Sequence, residues 1–143
     1  MKTLFQSTIS LFFLSLFVIF AVGSSDDSET TEEAKEKLSK NAVKVTAIDM
    51  LNQLKDNEVK FMKQYKDKTV EVTGTITGFD TGLTDEDVIV KVGKKYDYVR
   101  CTVVKDQGDK AANYSKGQTI TIKGICTGEV MGYPGMKSCI IVE

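Results

Sequence analysis

The sequence contains no histidine and no tryptophan, and it has one proline among its 143 residues. Without histidine, the chain cannot form Ser–His or Cys–His nucleophiles, nor a zinc site with imidazole ligands. Its three cysteines, Cys101, Cys126 and Cys139, lack the short spacing of metal-binding pairs. The acidic residues in the stretch 80–87 lack the alternation of a calcium loop, so we expect them to be solvated. We therefore predict a protein that is not an enzyme, uses no cofactor and binds no metal.

A surplus of positive charge is also absent. The chain has 19 Lys and Arg against 20 Asp and Glu, which gives a formal net charge of −1. Residues 66–143 contain eleven charges of each sign. Because proteins that bind a phosphate backbone normally carry a basic surplus on one face, we do not expect nucleic acid to be the biological partner.

Residues 1–23 have the pattern of a secretory signal peptide. Lys2 is followed by an uncharged run with an apolar centre at residues 9–22, and Ala21-Val22-Gly23 provides small residues before a cleavage site. We therefore expect an exported protein, in the bacterial periplasm or outside the cell. The alternative is an uncleaved membrane anchor at residues 4–22, which is close to the roughly 20 residues that span a bilayer.

The next stretch, residues 24–44, is acidic and has few apolar side chains. A segment of this composition cannot bury enough apolar surface to offset the loss of chain entropy. We therefore predict a disordered tether between the signal peptide and the folded domain.

Residues 45–143 have the length of one small domain. An amphipathic helix begins at Thr46, and its apolar residues recur at helical spacing as far as Tyr65. Alternating apolar and polar residues then predict five strands, with Gly74 at a bend in the first and a turn at residues 93–95. The strands are expected at residues 69–79, 88–92, 96–104, 118–127 and 136–142, with a short helix at residues 109–115. This order predicts a mainly β fold with one N-terminal helix, namely a five-stranded OB-fold barrel with a short helix between strands three and four.

Several short motifs carry a family resemblance. Asn57-Glu58-Val59 precedes Tyr65-Lys66-Asp67-Lys68, which leads into the strand that contains Gly74, and Val99-Arg100-Cys101 and Ser138-Cys139 follow on later strands. In this order, residues 45–143 resemble the tRNA-anti-like family of OB-fold proteins, although Asp67 stands where glycine is common. The resemblance implies the barrel and a candidate face for an oligomeric ligand, in a family of small, often exported or lipoprotein-like proteins of unknown function. It does not imply tRNA binding.

The candidate ligand face lies on strands two and three, where OB-folds usually bind. Tyr96, Tyr98 and Arg100 alternate on one face of strand three, and Ile89 and Lys91 point outward from strand two. Aromatic rings and a guanidinium group can stack on bases or sugars, although the same pattern also fits cross-strand packing on a solvated sheet. We predict an exported binding module of the cell envelope for a protein, peptide or glycan. The alternative is single-stranded nucleic-acid binding on the same face.

Two of the cysteines flank the loop between strands four and five. If Cys126 and Cys139 lie opposite each other in an antiparallel pair, their Cα atoms are roughly 4.5–5.5 Å apart, which a disulfide can bridge. We predict this disulfide, with Cys101 left free. The alternative is three reduced thiols that act as small apolar side chains in the core.

Overall fold

The structure, a computed structural model, describes residues 29–84 and 87–143. Its helices are α1 (Thr31–Lys37), α2 (Ala47–Asp56), α3 (Glu58–Tyr65) and α4 (Gly108–Ala112), the last preceded by a 3₁₀ turn at Lys105–Gln107. Its strands are β1 (Val43–Thr46), β2 (Thr69–Thr81), β3 (Val88–Lys94), β4 (Asp97–Val103), β5 (Thr119–Val130) and β6 (Tyr133–Val142). Within these residues, no helix has the length and apolar character needed to cross a membrane. The predicted signal peptide or anchor, and residues 24–28 of the predicted tether, lie outside the described residues.

Five of the strands close a barrel. The first half of β2 pairs with β5 and its second half pairs with β3, in both cases antiparallel. The sheet continues from β3 to β4, then in parallel from β4 to β6, and returns to β5. This closed sheet, with α4 between β4 and β5, is an OB-fold. The predicted fold class is therefore confirmed.

Gly74 lies where β2 changes its neighbours. Residues 69–75 pair with β5, whereas pairing with β3 begins at Ile76. A Cβ atom at Gly74 would lie 2.8 Å from Val92 Cγ1 and 2.9 Å from Ala47 Cβ. Because carbon atoms in contact normally lie about 3.5–4.0 Å apart, the missing side chain is what lets β3 and the start of α2 approach the strand.

Two helices cover one end of the barrel. The buried side chains that α2 and α3 contribute to the core are those of Ala47, Met50, Leu51, Leu54, Phe61 and Tyr65. The sequence pattern predicts one continuous helix here, but Asn57 divides it. The Asn57 backbone is extended, with φ of −161°, and its side-chain oxygen accepts a hydrogen bond from the Lys60 backbone N–H at 2.9 Å. An asparagine in this conformation ends α2 and caps the N-terminus of α3.

A sixth strand, β1, is added at the edge of the barrel. It runs parallel to residues 70–73 of β2, and it is the terminal strand in the sheet order. Val43 and Val45 pack against the core, whereas Lys44 and Thr46 are exposed. The sequence pattern did not predict this strand, because four residues are too few for period two to be recognised.

The structure corrects the predicted disordered tether for residues 29–44. Thr30 caps α1, and Ala34 and Leu38 are buried. The backbone N–H and the hydroxyl of Thr31 both donate to Asp106 Oδ1, at 2.7 and 2.6 Å. A short polar helix can dock in this way because two apolar residues four positions apart lie on the same helix face.

Candidate ligand-binding face

Two tyrosines stand at the centre of the candidate face. The parallel pairing of β4 with β6 places Arg100 opposite Gly135 and brings the starts of the two strands together. As a result, the rings of Tyr98 and Tyr133 stack with centroids 4.5 Å apart and an interplanar angle of 6°. Both side chains are half-buried, so part of each ring faces solvent. A stacked pair of this kind presents flat apolar surface beside phenolic hydroxyls.

Two cations lie next to each other beside the stacked rings. Lys91 on β3 lies opposite Arg100 on β4. The Lys91 ammonium group is 5.0 Å from the centroid of the Tyr98 ring, and it also forms an ion pair with Asp80. Arg100 has no ion-pair partner among the described residues. We call Lys91, Tyr98, Arg100 and Tyr133 the tyrosine face.

Two of the predicted site residues do not belong to this face. Tyr96 lies in the turn between β3 and β4, 77% exposed, with the Lys95 ammonium group 5.0 Å from its ring centroid. The turn was predicted two residues too early, because Gly93 adopts φ of 145° while it stays within β3. Ile89 is 5% exposed. Strand alternation determines the direction of a side chain but not whether that side is covered, so the prediction that Ile89 forms part of an open face was wrong.

Tyr133 was missed because residues 128–135 were interpreted as a loop. The structure instead extends β5 to Val130 and starts β6 at Tyr133, with a two-residue turn between them. Met131 and Gly132 have φ of 53° and 86°, which is the left-handed geometry of a tight hairpin turn. The sequence signal for this turn is the pair Met131-Gly132, which lies between the apolar residues Val130 and Tyr133.

The cysteines do not adopt the predicted arrangement. In the β5–β6 register Cys126 lies opposite Met136, and a Cβ at Gly124 would be 2.5 Å from Cys139 Sγ. The turn at Met131-Gly132 sets this register: Cys126 precedes Met131 by five residues and Cys139 follows Gly132 by seven, so the two cysteines do not lie opposite each other. All three thiols are free and buried, so the structure does not contain the predicted disulfide. Burial raises the pKa of Cys126, and that of Cys139 well above its ordinary value, which keeps both thiols protonated and unreactive.

Residues 29–84 and 87–143 contain no group of three Cys, Asp or Glu side chains that could hold a metal ion. Two residues of the acidic loop, Asp85 and Glu86, lie outside the described residues. The interpretation of that loop as a solvated segment therefore stays a prediction.

Comparison with known proteins identifies the family. The sequence model of the tRNA_anti-like family matches residues 1–140. The chain belongs to the tRNA_anti-like family. This match extends over the N-terminal segment as well as the barrel, and no curated protein matches the chain.

Solved structures that align with this tRNA_anti-like protein do so at low sequence identity. A lipoprotein from Klebsiella pneumoniae, named for an inferred nucleic-acid-binding role, aligns with a TM-score of 0.56 at 17% identity, over 80% of this chain and 100% of its own. An aspartyl-tRNA synthetase from Leishmania major, also assigned by inference, aligns with a TM-score of 0.49 at 9% identity, over 73% of this chain and 21% of its own. A replication factor A related protein from Methanobacterium thermoautotrophicum aligns with a TM-score of 0.41 at 13% identity, over 55% of this chain and 84% of its own.

Proposed function

We propose that this tRNA_anti-like protein is a non-enzymatic binding module of the cell envelope, which binds a protein, peptide or glycan on the tyrosine face. The observation that carries the proposal is the Tyr98–Tyr133 stack, which places flat apolar surface next to Lys91 and Arg100. The signal-like pattern at residues 1–23 supports export. One structure with this fold is named as a lipoprotein, which agrees with an envelope location.

The charges of the tyrosine face favour a ligand of low charge. Asp80 neutralises Lys91, so Arg100 is the only cation of the four-residue face without an ion pair among the described residues. One guanidinium group can orient a carboxylate or a carbonyl group, but it releases few counterions. Stacking against the rings then contributes most of the affinity, as it does for sugar rings and for aromatic or proline side chains.

A second candidate function is single-stranded nucleic-acid binding on the same residues. It is favoured by the combination of stacked rings and an unpaired arginine, since each base stacked on an aromatic ring contributes about 1–3 kcal/mol. The balanced charge of the chain argues against it, because few phosphates would be neutralised.

One experiment separates the two functions. The purified full chain is sedimented with insoluble peptidoglycan, which offers both glycan and peptide. In parallel, the chain is titrated with a fluorescein-labelled oligothymidine of about twelve nucleotides, within the usual site size of an OB-fold. We expect retention by peptidoglycan, and oligonucleotide binding weaker than low micromolar at physiological salt.

Substitutions of single tyrosines test whether the ligand binds on the tyrosine face. Tyr133→Ala should weaken retention by about tenfold, because a stacking contact of about 1.4 kcal/mol is lost. Tyr96→Ala is the matched control, since it removes an exposed tyrosine that lies outside the tyrosine face. Absence of retention excludes peptidoglycan as the ligand, and equal loss in both variants contradicts the placement of the binding site on the tyrosine face. Low-micromolar oligonucleotide binding that disappears in Tyr98→Ala or Arg100→Ala would establish the nucleic-acid alternative instead.

A further inference from the structure

The two rings of the tyrosine face are not equivalent, because one of them is covered on both sides. In the sheet, β4 lies between β3 and β6. Tyr98 on β4 therefore has the Lys91 ammonium group of β3 over one side of its ring, 5.0 Å from the centroid, and the ring of Tyr133 against the other side. A ligand ring consequently cannot stack on Tyr98 without displacing one of these two neighbours.

The far side of the Tyr133 ring is turned toward β5. The two rings come from adjacent strands and are parallel to within 6°, and β5 is the next strand beyond β6. The residue of β5 opposite Tyr133 is Val130, which is 39% exposed. Because β2 pairs with β5 only as far as Ile125, no strand among the described residues flanks this end of β5 on its other edge. A ring that stacks on the far side of Tyr133 therefore has room.

Two side chains of β5 meet at the foot of this ring. A Cβ atom at Gly135 would lie 2.8 Å from Val130 Cγ2 and 2.6 Å from Thr127 Oγ1. Residues two apart on a strand point the same way, so this is the side of the sheet on which Tyr133 stands. The Thr127 hydroxyl is half-buried and has no hydrogen-bond partner among the described residues. We call Thr127, Val130, Tyr133 and Gly135 the hairpin subsite.

The hairpin subsite combines a flat ring, an apolar group and a free hydroxyl. The negative face of a tyrosine ring attracts C–H groups, such as those on one side of a pyranose ring. An acetamido substituent carries a methyl group, which suits Val130, and an amide, which suits the Thr127 hydroxyl as donor or acceptor. Met131, 81% exposed in the adjoining turn, adds flexible apolar surface at the same end of the hairpin.

We propose that the hairpin subsite binds an N-acetylated sugar ring, which stacks on Tyr133 and places its acetamido group against Thr127 and Val130. This inference rests on the proposed function, because it selects the glycan among the ligands proposed for the tyrosine face. A proline or aromatic side chain would stack equally well, but it would bury the Thr127 hydroxyl without a partner, which is unfavourable. Arg100 lies opposite Gly135 on β4, where it can bond a carboxylate or carbonyl group of the neighbouring unit.

The test compares two soluble sugars that differ in one substituent. The full chain is titrated with the tetramer of β-1,4-linked N-acetylglucosamine and, separately, with the tetramer of β-1,4-linked glucose, which has a hydroxyl in place of each acetamido group. Binding is followed by amide chemical shifts in nuclear magnetic resonance up to about 10 mM, above the roughly 1 mM of weak association. We expect the signals of Thr127, Val130 and Tyr133 to shift. The acetylated sugar should bind about three- to fourfold more tightly, as for burial of one methyl group.

Substitutions of single residues test the role of each part of the subsite. Val130→Thr keeps the β-branched shape but replaces a methyl group with a hydroxyl, so it should remove most of the preference for the acetylated sugar. Val59→Thr is the matched control, since Val59 is 66% exposed on α3, outside the subsite, and this variant should keep the preference. Tyr133→Ala should weaken the binding of both sugars, because both stack on its ring.

Three results would overturn the proposal. They are equal affinity for the two sugars, a preference that Val130→Thr leaves unchanged, and no binding of either sugar. In the last case, retention by peptidoglycan that still depends on Tyr133 would leave the proposed function standing and exclude only the sugar ring as the occupant. Conversely, preferential binding of the acetylated sugar by a chain that peptidoglycan does not retain would support the subsite and exclude peptidoglycan as the source of its ligand.

Discussion

Replacing Gly74 with alanine should destabilise the barrel more than the same replacement at Gly78, four residues further along β2. The added methyl group at Gly74 would lie 2.8 Å from Val92 Cγ1 and 2.9 Å from Ala47 Cβ, and both of these residues are fully buried. At Gly78 the nearest atom would be Lys91 Cδ at 3.6 Å, which is an ordinary contact with a flexible side chain. The two variants therefore make one chemical change in one strand and differ only in the space available.

The magnitude follows from the two close contacts at Gly74. Neither neighbour can rotate away, because the Val92 side chain is β-branched and the Ala47 methyl group is attached directly to the α2 backbone. An extra methyl group in a packed core typically costs about 1–3 kcal/mol. Loss of freedom in the unfolded chain offsets about 0.4–1 kcal/mol of that cost. We expect Gly74→Ala to lower the free energy of unfolding by about 1–2 kcal/mol, and Gly78→Ala to leave it unchanged or slightly raised.

Urea denaturation of both variants, followed by circular dichroism, measures the difference. Equal midpoints would refute the claim that close packing at Gly74 defines the corner of the barrel. Gly74→Val should be worse than Gly74→Ala, since its two extra methyl groups need still more space. Thr73→Val is a less suitable control than Gly78→Ala, because the Thr73 hydroxyl lies within hydrogen-bonding distance of Thr121 Oγ1, at 2.9 Å.

Three further outcomes are expected. N-terminal sequencing of the exported protein should begin near Ser24, whereas an intact Met1 in the membrane fraction would indicate an anchor. Thiol titration of the denatured, unreduced protein should count three free thiols, and a count of one would show that two of the cysteines form a disulfide. Although partial burial acts in the opposite direction, hydrogen bonds from Thr31 lower the pKa of Asp106. A lowered pKa stabilises the docked α1 above the ordinary aspartate pKa, and this stabilisation is lost as pH falls through the lowered value. Protection of the α1 amides, measured as their hydrogen exchange relative to that of an unstructured peptide at the same pH, should therefore fall on acidification, and Asp106→Asn should reduce that pH dependence; an unchanged profile would contradict the role of Asp106.

The alternation of apolar and polar residues determined most of the barrel. Each strand buries one face, so period two along residues 69–79 and 118–127 is a direct consequence of burial and is readable locally. Gly74 was interpretable for the same reason, since a glycine within an otherwise well-formed strand indicates a close approach of backbone. At Asp67, where the family commonly has glycine, the backbone φ of 62° explains that preference.

Only the tertiary structure decided which distant residues meet. Tyr98 and Tyr133 stack because β4 and β6 run parallel at the closure of the barrel, and no local pattern encodes that contact. The tight turn at Met131-Gly132 sets the register of the β5–β6 hairpin, and because Cys126 and Cys139 lie at different distances from that turn they do not pair. The docking of α1 likewise depends on partners far along the chain, because Thr31 bonds to Asp106 and the barrel covers Ala34. Local sequence determines which side of an element is apolar, whereas the partner for that side exists only once the chain has folded.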